Sequence, residues 1–327
     1  MSLETPSKLQ RLQRALYSKA KQEPSYRFHF LYDKVWRTDV LTTAYALCKK
    51  NRGTAGVDGQ TFADVEAYGV EGWLGETQEE LRVGHYKPQP VRRVMIPKAG
   101  GGGERPLGIP TIKDRVVQTA AKLVLEPIFE ADFDDAAYGY RPKRSAEQAV
   151  RCVHAALWQG HSQVIDADLS RYFDNIPHAQ LLKSVARRVS DRRMLQLIKL
   201  WLKAPVEIRD ERGNKHLEGG KKAKRGTPQG GVLSPLLANI YMHRFIKAFR
   251  KSGLDKKHGA ILVNYADDFV VLCRRDAGGA LEVIRRWFAS MGLELNERKT
   301  AVKYARGEPF DFLGYSAPQA HGRFNMN

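Results

Sequence analysis

An acidic pair inside an apolar stretch constrains the fold of this chain more than any other feature. Asp267 and Asp268 lie between the apolar segments 261–263 and 269–272, with Tyr265 and Ala266 directly before them. This pattern predicts two β-strands folded back on each other, with the carboxylates at or beside the bend. Adjacent carboxylates between apolar strands repel each other and lose hydration, which a hard divalent cation such as Mg²⁺ relieves. Taken alone, these residues are equally compatible with an ordinary polar hairpin turn.

The charge balance favours a polyanionic partner. The 327 residues include 54 Lys and Arg against 36 Asp and Glu, which gives a formal net charge of +18. Such an excess attracts nucleic acid or an anionic membrane surface. No apolar run is long enough to span a bilayer and no signal-peptide core is present, so we expect nucleic acid, no membrane partner and a cytoplasmic location.

The cysteines predict neither a disulfide framework nor a zinc site. Cys48, Cys152 and Cys273 are few, odd in number and far apart in the sequence. We therefore interpret them as small buried hydrophobic residues in a reducing compartment.

Strand and helix patterns follow one another along the chain and predict an α+β fold. Thr111 is a predicted N-cap for the helix that follows it, and residues 209–225 form a polar basic segment. Helices are predicted over residues 8–21, 28–50, 114–129, 179–202, 234–250 and 279–291. Strands are predicted over residues 91–98, 105–110 and 163–169 and on both sides of the acidic pair.

A third carboxylate extends the acidic pair to a candidate catalytic group. Asp168 ends the predicted strand 163–169, so the three carboxylates converge if this strand pairs with the acidic hairpin. Three carboxylates suffice for two Mg²⁺ ions, which can activate a 3′-hydroxyl and stabilise a leaving pyrophosphate. Asp166 shares a face of the strand with Asp168, and we interpret it as a supporting residue or a salt-bridge partner.

At this point the sequence resembles the reverse transcriptases, and more narrowly the reverse transcriptase/maturase proteins encoded by bacterial group II introns. Three segments resemble successive palm motifs of that family: Asp168–Ile176, Gly226–Gly231 and Tyr265–Asp268. The other matching segments, in the family's order, are Ala55–Gly59, Arg105–Pro110, Tyr138–Ser145, Leu293–Thr300 and Phe312–Tyr315. Eight motifs in order, over about residues 5–320, are hard to explain by chance.

The resemblance implies the fingers and palm of a right-hand polymerase, with the palm an antiparallel sheet backed by helices. The implied divisions are an N-terminal helical extension at 1–50, fingers at 51–158 and a palm at 159–327. In the family a helical thumb, which also acts as the maturase domain, follows the palm. Because the chain ends at Asn327, we expect the thumb to be absent, as in a fragment or a truncated gene.

The resemblance also assigns roles to individual residues. Asp168, Asp267 and Asp268 match the catalytic triad that binds two Mg²⁺ ions, for which Mn²⁺ is an expected substitute. Phe173 matches the gate that excludes a ribose 2′-hydroxyl, and Gln229 matches the residue that touches the nucleotide. A core aromatic and an ordinary loop residue are the alternatives that the sequence leaves open for these two positions.

Six further residues match nucleotide or nucleic-acid contacts of the family. Lys98 and Arg105 match triphosphate ligands on the finger hairpin, although both also suit a solvated hairpin. Lys299 matches the palm lysine near the nucleotide. The remaining matches, Arg141, Arg144 and Gly314, correspond to template or primer contacts, with a structural role equally open for the arginines.

The implied activity is RNA-directed DNA polymerisation, in which a primer is extended with dNTPs on an RNA template. The implied partners are an RNA template, a DNA or RNA primer and group II intron RNA, in intron retrohoming and splicing. The alternatives are a reverse transcriptase of bacterial defence, including CRISPR-associated ones, and an RNA-binding splicing factor without polymerase activity. The oligomeric state stays open, with a dimer among the options.

Overall fold

The computed structural model describes residues 7–97, 103–210, 212–305, 310–317 and 325–326, and the predicted α+β class is confirmed. The helices are α1 (Ser7–Gln22), α2 (Tyr32–Val35), α3 (Thr38–Lys50), α4 (Phe62–Tyr68), α5 (Val70–Val83), α6 (Ile112–Glu130), α7 (Ala146–Trp158), α8 (Tyr172–Asn175), α9 (His178–Val185), α10 (Arg192–Leu202), α11 (Ser234–Ser252), α12 (Leu254–His258) and α13 (Ala277–Ser290). The strands are β1 (Val91–Pro97), β2 (Glu104–Ile109), β3 (Gln163–Asp168), β4 (Pro205–Arg209), β5 (Lys215–Gly219), β6 (Ile261–Tyr265), β7 (Asp268–Cys273), β8 (Ala301–Tyr304), β9 (Phe310–Phe312), β10 (Tyr315–Ala317) and β11 (Asn325–Met326).

Two compact units alternate along the chain. The first consists of Met1–Asp132 and Pro177–Leu237, and the second of Phe133–Ile176 and Ala238–Asn327. The divisions predicted from the sequence are contiguous, so their boundaries do not coincide with those of these units. The assignment of fingers to 51–158 and palm to 159–327 stays a prediction.

In the first unit, α6 is the central helix. Thr111 caps it as predicted, since its hydroxyl accepts a hydrogen bond from the backbone N–H of Asp114 at 3.1 Å. Apolar residues at helical spacing bury most of its length against α1 and α3. The amide of Gln13 on α1 donates to the carbonyl of Leu123 at 3.0 Å, which fixes the position of α1 along α6.

The first unit also contains a four-stranded sheet in the order β2-β1-β4-β5. The antiparallel β1–β2 hairpin was predicted, whereas β4 and β5 were not. β4 pairs in parallel with β1, more than a hundred residues earlier in the sequence. β5 is exposed along its whole length, so its sequence carries no apolar alternation that would predict a strand.

The long helix predicted over 179–202 is wrong, because the chain turns between α9 and α10. Asp191 caps α10 through its Oδ1, and its Oδ2 accepts hydrogen bonds from the backbone N–H groups of Leu31 and Tyr32, both at 2.8 Å. The guanidinium of Arg188 donates to backbone carbonyls of residues 20–26 and pairs with Asp132 at 3.1 Å. These contacts anchor the turn to the N-terminal part of the unit.

The predicted single segment 28–50 is also interrupted, since the chain breaks at Trp36 and Arg37 between α2 and α3.

In the second unit, a four-stranded antiparallel sheet in the order β6-β7-β3-β8 forms the predicted helix-backed sheet. Val150 and Val153 of α7 pack with Val263 and Val270 on one face. On the other face, Phe269 lies 5.1 Å from the ring of Phe245 on α11, and α13 covers the same side. Because helices cover both faces, β7 is apolar at nearly every position.

Two further sequence predictions bear on the chemistry of the protein. Cys48, Cys152 and Cys273 are free thiols, and the first and third are buried. Within the described ranges, none of the helices combines the length and apolar character needed to cross a membrane.

Candidate active site

Strand pairing brings the three predicted carboxylates together in the second unit. β3 and β7 pair with Asp168 directly opposite Asp268, an arrangement that holds Cα atoms about 4.5–5.5 Å apart. In the β6–β7 hairpin, Tyr265 pairs with Asp268, which leaves Ala266 and Asp267 as the turn. The aspartate far upstream therefore lies beside the acidic doublet, as the strand pattern predicted.

The local field opposes ionisation of the doublet. Burial, followed by the charges of Asp267 and Asp168, raises the pKa of Asp268 to about 6, although its side chain reaches solvent on one side. Burial also raises the pKa of Asp267, and the charge of Asp168 adds to this rise. The site thus carries more negative charge than its protein surroundings neutralise, which favours binding of a cation.

Residues 294–300 supply the partners of Asp168. The ammonium of Lys299 lies 3.2 Å from Asp168 Oδ2, and the amide of Asn296 donates to the same oxygen at 3.3 Å. The backbone N–H of Asn296 donates to the carbonyl of Asp168 at 2.8 Å. Lys299, predicted to lie near the nucleotide, therefore forms an ion pair with a predicted metal ligand.

Asp166 forms a salt bridge, which is one of the two roles that the sequence suggested for it. Its Oδ2 lies 2.8 Å from the ammonium of Lys303 on β8. β8 is the strand next to β3 on the side away from β7. This ion pair leaves the other three aspartates as the candidate group.

The donor chemistry of the three aspartates fits a hard divalent cation. Carboxylate oxygens are the ligands that Mg²⁺ prefers, and burial together with the charges of Asp267 and Asp168 raises the pKa of Asp268. In the part of the chain that the structure describes, no group of three or more His, Cys, Asp or Glu side chains is arranged to hold an ion as placed. Binding would therefore draw the carboxylates closer together and compete with Lys299 for Asp168.

Phe173 lies in a small aromatic cluster. It follows Tyr172 in the short helix α8, and the two ring centroids are 5.7 Å apart. The ring of Tyr140 meets Phe173 edge-on at 6.3 Å. Tyr172 is buried and its hydroxyl donates to the carbonyl of Ala238 at 2.7 Å, whereas Phe173 is half-buried and keeps an accessible side.

The two predicted template arginines differ in their surroundings. Arg141 is only 8 % exposed, and its guanidinium donates to the carbonyls of Asp134 and Ala137 at 2.6 and 2.7 Å. This geometry supports the structural role that the sequence left open for Arg141. Arg144 pairs with Asp135 and stacks over the ring of Tyr138 at 5.4 Å.

Gly314 forms a tight turn. β9 and β10 pair with Phe312 opposite Tyr315, so Leu313 and Gly314 form a two-residue loop. Both have positive φ, 56° and 77°, as a type I′ hairpin turn requires. No described atom lies within 4 Å of where a Cβ on Gly314 would stand, so this glycine serves the turn conformation within this structure.

The remaining predicted nucleotide contacts belong to the first unit. Lys98 lies outside the described residues, and Arg105 is exposed on β2. The carbonyl of Gln229 accepts a hydrogen bond from the N–H of Gly108 on β2. A Cβ on Gly230 would collide with the carbonyl of Gly108, so the turn that carries Gln229 packs directly against the strand that carries Arg105.

Sequence reasoning missed one residue of the second unit that contacts the acidic turn. Asn264 is only 1 % exposed, and its side-chain amide donates to the carbonyls of Ala266 and Asp268. The available signal was a polar residue within the apolar run that precedes Tyr265. A buried amide must find hydrogen-bond partners, and the carbonyls of Ala266 and Asp268 supply them here.

Sequence comparisons place the chain among known proteins. The family model described as "Reverse transcriptase (RNA-dependent DNA polymerase)" matches residues 96–317. Protein YkfC of Escherichia coli is 34 % identical over 96 % of this chain and 89 % of its own length. The group II intron-encoded protein LtrA of Lactococcus lactis is 36 % identical over 67 % of this chain, which corresponds to 35 % of LtrA.

Solved structures agree at the level of the fold. A telomerase from Candida tropicalis superposes with a TM-score of 0.57 over 77 % of this chain and 59 % of that chain, at 13 % identity. A telomerase from Candida albicans gives a TM-score of 0.55 over 80 % of this chain and 50 % of that chain, at 15 % identity. At such identities the likeness is one of fold alone.

Proposed function

This chain belongs to the reverse transcriptase family, whose activity is RNA-directed DNA polymerisation, and from that premise we propose its chemistry. It extends the 3′-end of a primer with dNTPs on an RNA template. The reacting centre is the group formed by Asp168, Asp267 and Asp268. The observation that carries the proposal is the strand register that sets Asp168 opposite Asp268 with Asp267 in the adjoining turn.

In this proposal the three aspartates hold two Mg²⁺ ions, with Mn²⁺ as a substitute. When bound, such ions activate the attacking hydroxyl and stabilise the leaving pyrophosphate. The chain's own contribution is a group of carboxylates in which burial and neighbouring charge raise the pKa values of Asp267 and Asp268, so that a bound cation would favour their ionised forms. Before a cation binds, the ammonium of Lys299 neutralises part of the charge of Asp168. Once a cation is bound, the same ammonium can turn to a substrate phosphate.

The other residues select and orient the substrates. Phe173 excludes nucleotides that carry a 2′-hydroxyl, and its ring is held in place by Tyr172 and Tyr140. Gln229 contacts the incoming nucleotide, and Lys98 and Arg105 bind its triphosphate by charge-assisted hydrogen bonds.

The net charge of +18 attracts the RNA template and the primer. Of the predicted nucleic-acid contacts, Arg144 and the Gly314 turn contact the template and primer, whereas Arg141 holds the loop that precedes Arg144 through its bonds to Asp134 and Ala137.

The setting we propose is group II intron retrohoming, with intron RNA as a partner. Its support is the similarity to LtrA, a group II intron-encoded protein. The match spans about a third of that relative, so the activities of the whole relative are proposals for this chain.

Primer extension tests the proposal. The purified protein receives an RNA template, a DNA primer, dNTPs and Mg²⁺, and we expect extension by the wild type and none by Asp267→Asn. Asp255→Asn, which alters an exposed aspartate on α12, is the matched control and should extend normally. If the wild type binds RNA yet does not extend a primer, the protein is an RNA-binding factor and the polymerase proposal fails.

A further inference from the structure

The turn that carries Asp267 is held in an unfavourable backbone conformation. Ala266 has φ of 60°, in the left-handed region that residues with a Cβ rarely adopt. Only two residues separate the paired positions Tyr265 and Asp268. The conformation of Ala266 therefore decides where the Asp267 carboxylate stands relative to Asp268 across the hairpin.

The side chain of Asn264 contacts this turn. Its side-chain nitrogen donates to the carbonyl of Ala266 at 2.9 Å and to the carbonyl of Asp268 at 3.2 Å. One amide thus binds a carbonyl within the turn and a carbonyl at the start of the returning strand. A side-chain amide offers two N–H donors, which matches the two acceptors.

The position of Asn264 is itself fixed by the neighbouring segment 136–138. Its backbone N–H donates to the carbonyl of Ala136, and its carbonyl accepts from the N–H of Tyr138, both at 2.8 Å. With the two side-chain bonds, Asn264 makes four hydrogen bonds from a site that is 1 % exposed. The side chain that contacts the turn therefore has little freedom to move.

Gly139 packs directly against the turn. A Cβ at this position would collide with the backbone nitrogen of Ala266. The carbonyl of Gly139 accepts a hydrogen bond at 2.7 Å from the amide of Asn239 on α11, which is buried as well. The turn thus contacts both the backbone of Gly139 and the side-chain amide of Asn264.

We propose that Asn264 is a positioning residue of the polymerase site, one that holds Ala266 in its left-handed conformation and thereby sets the Asp267 and Asp268 carboxylates for cation binding. This inference rests on the proposed function. An apolar side chain would suit the strand better, since Asn264 follows Leu262 and Val263 in an apolar run. The amide is accounted for by its two bonds to the turn.

The decisive variant is Asn264→Leu, which keeps the branched shape, adds no charge and removes both donors. We expect the Kd for Mn²⁺, measured by electron paramagnetic resonance without nucleic acid, to rise about 10–100-fold, the usual effect of losing a group that orients a ligand. The kcat of primer extension should fall at fixed Mg²⁺ and recover partly at high Mg²⁺. RNA affinity and the KM for dNTP should stay unchanged.

A second substitution separates positioning from simple folding. Glycine adopts positive φ without steric cost, so Ala266→Gly added to Asn264→Leu should restore part of the Mn²⁺ affinity. Gln13→Met is the control, because it removes one amide-to-carbonyl bond in the first unit and should leave Mn²⁺ binding unchanged. A wild-type Mn²⁺ affinity in folded Asn264→Leu, or the absence of any rescue by glycine, would overturn the proposal.

If Asn264→Leu does not fold, Asn264→Ser carries the same test, because it retains a single donor. An intermediate Mn²⁺ affinity supports the proposal and a wild-type affinity overturns it. The Mn²⁺ measurement does not depend on polymerisation. Failure of the wild type to extend a primer therefore refutes the proposed function, whereas unchanged Mn²⁺ binding by the variants refutes the role of Asn264.

Discussion

The carboxylate of Asp268 is held where its charge is unfavourable. Burial and the charges of Asp267 and Asp168 raise its pKa from an ordinary 3.8 to about 6. A carboxyl whose pKa is raised on folding stabilises the folded state below its unfolded pKa, and that contribution is lost as pH rises through the folded pKa. In the absence of metal, the stability contribution of Asp268 therefore falls as pH rises from about 3.8 to about 6 and is fully lost above that.

This linkage predicts a stabilising substitution in the candidate site. Because the side chain of Asp268 is exposed to solvent, screening reduces the effect of its raised pKa on stability to roughly 1 kcal/mol. In EDTA at pH 8, Asp268→Asn should therefore raise the thermal midpoint by about 2–4 °C in a domain of this size. At pH 3, below the ordinary pKa of 3.8, Asp268 is protonated in both the folded and the unfolded state, so the same substitution should change the midpoint little. Thermal unfolding followed by circular dichroism measures both values. An equal shift at the two pH values would show that charge is not the cause.

Phe173 gives a second prediction at the level of single residues. If its ring excludes the 2′-hydroxyl, Phe173→Val should increase rNTP relative to dNTP incorporation by about tenfold or more, within the range that a lost steric contact gives. The ratio of kcat/KM for dCTP and CTP in primer extension measures this selectivity. Tyr304→Val, which changes an exposed ring on β8, should leave the ratio unchanged. An unchanged ratio in Phe173→Val would identify the ring as a packing residue.

Helix α5 and its C-cap offer two glycines in opposite situations. Gly75 lies in the interior of the helix, and a Cβ there would meet nothing within 4 Å. Gly84 caps the same helix with φ of 80°. Alanine favours a helix interior over glycine by about 1 kcal/mol, but it is strained in the left-handed conformation.

We therefore expect Gly75→Ala to stabilise the first unit by about 1 kcal/mol. Gly84→Ala should destabilise it by a similar amount, because the left-handed conformation costs a residue with a Cβ about 1–2 kcal/mol. Urea unfolding followed by fluorescence measures both changes. Changes of the same sign in the two variants would contradict the assignment of the cap.

Elements with local signals were predictable from the sequence. Thr111 lies one residue before α6 and caps it through its own side chain, so the start of the helix is encoded within four residues. The end of β3 at Asp168 is marked in the same way by the apolar run that precedes it. Such signals depend only on neighbours in the chain.

Elements that depend on distant contacts were not predictable. The turn between α9 and α10 rests on Asp191, which binds backbone N–H groups about 160 residues earlier. β4 is a strand because β1 offers an edge to pair with. Neither the periodicity near 190 nor the polar composition near 210 contains that information.

The features of the candidate site can also be divided into those with a local sequence signal and those that depend on contacts elsewhere in the fold. Its three aspartates were found because each lies at an end of an apolar strand or in the turn beside it. The bonds of Asn264 to the acidic turn and the ion pair between Lys299 and Asp168 were not found, because each depends on the local course of the backbone. The predicted contact of Arg141 with a template rested on the family resemblance of segment 138–145 and stays a prediction, while in the structure its guanidinium donates to backbone carbonyls.

For the molecule as a whole, the net charge of +18 and the acidic candidate site have complementary roles. A polyanion is attracted by the surplus of lysine and arginine, whereas the three aspartates repel its phosphates unless cations intervene. Binding of nucleic acid should therefore persist when the aspartates are removed, and primer extension should not.

The same charge predicts how affinity responds to salt. If the protein contacts 6–10 phosphates of an RNA–DNA duplex, its affinity should fall by about 10³–10⁵ between 50 and 200 mM KCl, because each neutralised phosphate releases counterions. Fluorescence anisotropy with a labelled duplex measures this slope. A peptide nucleic acid of the same sequence is the control, since its uncharged backbone releases no counterions and its binding should vary little with salt. Equal slopes for the two ligands would show that contacts other than charge hold the duplex.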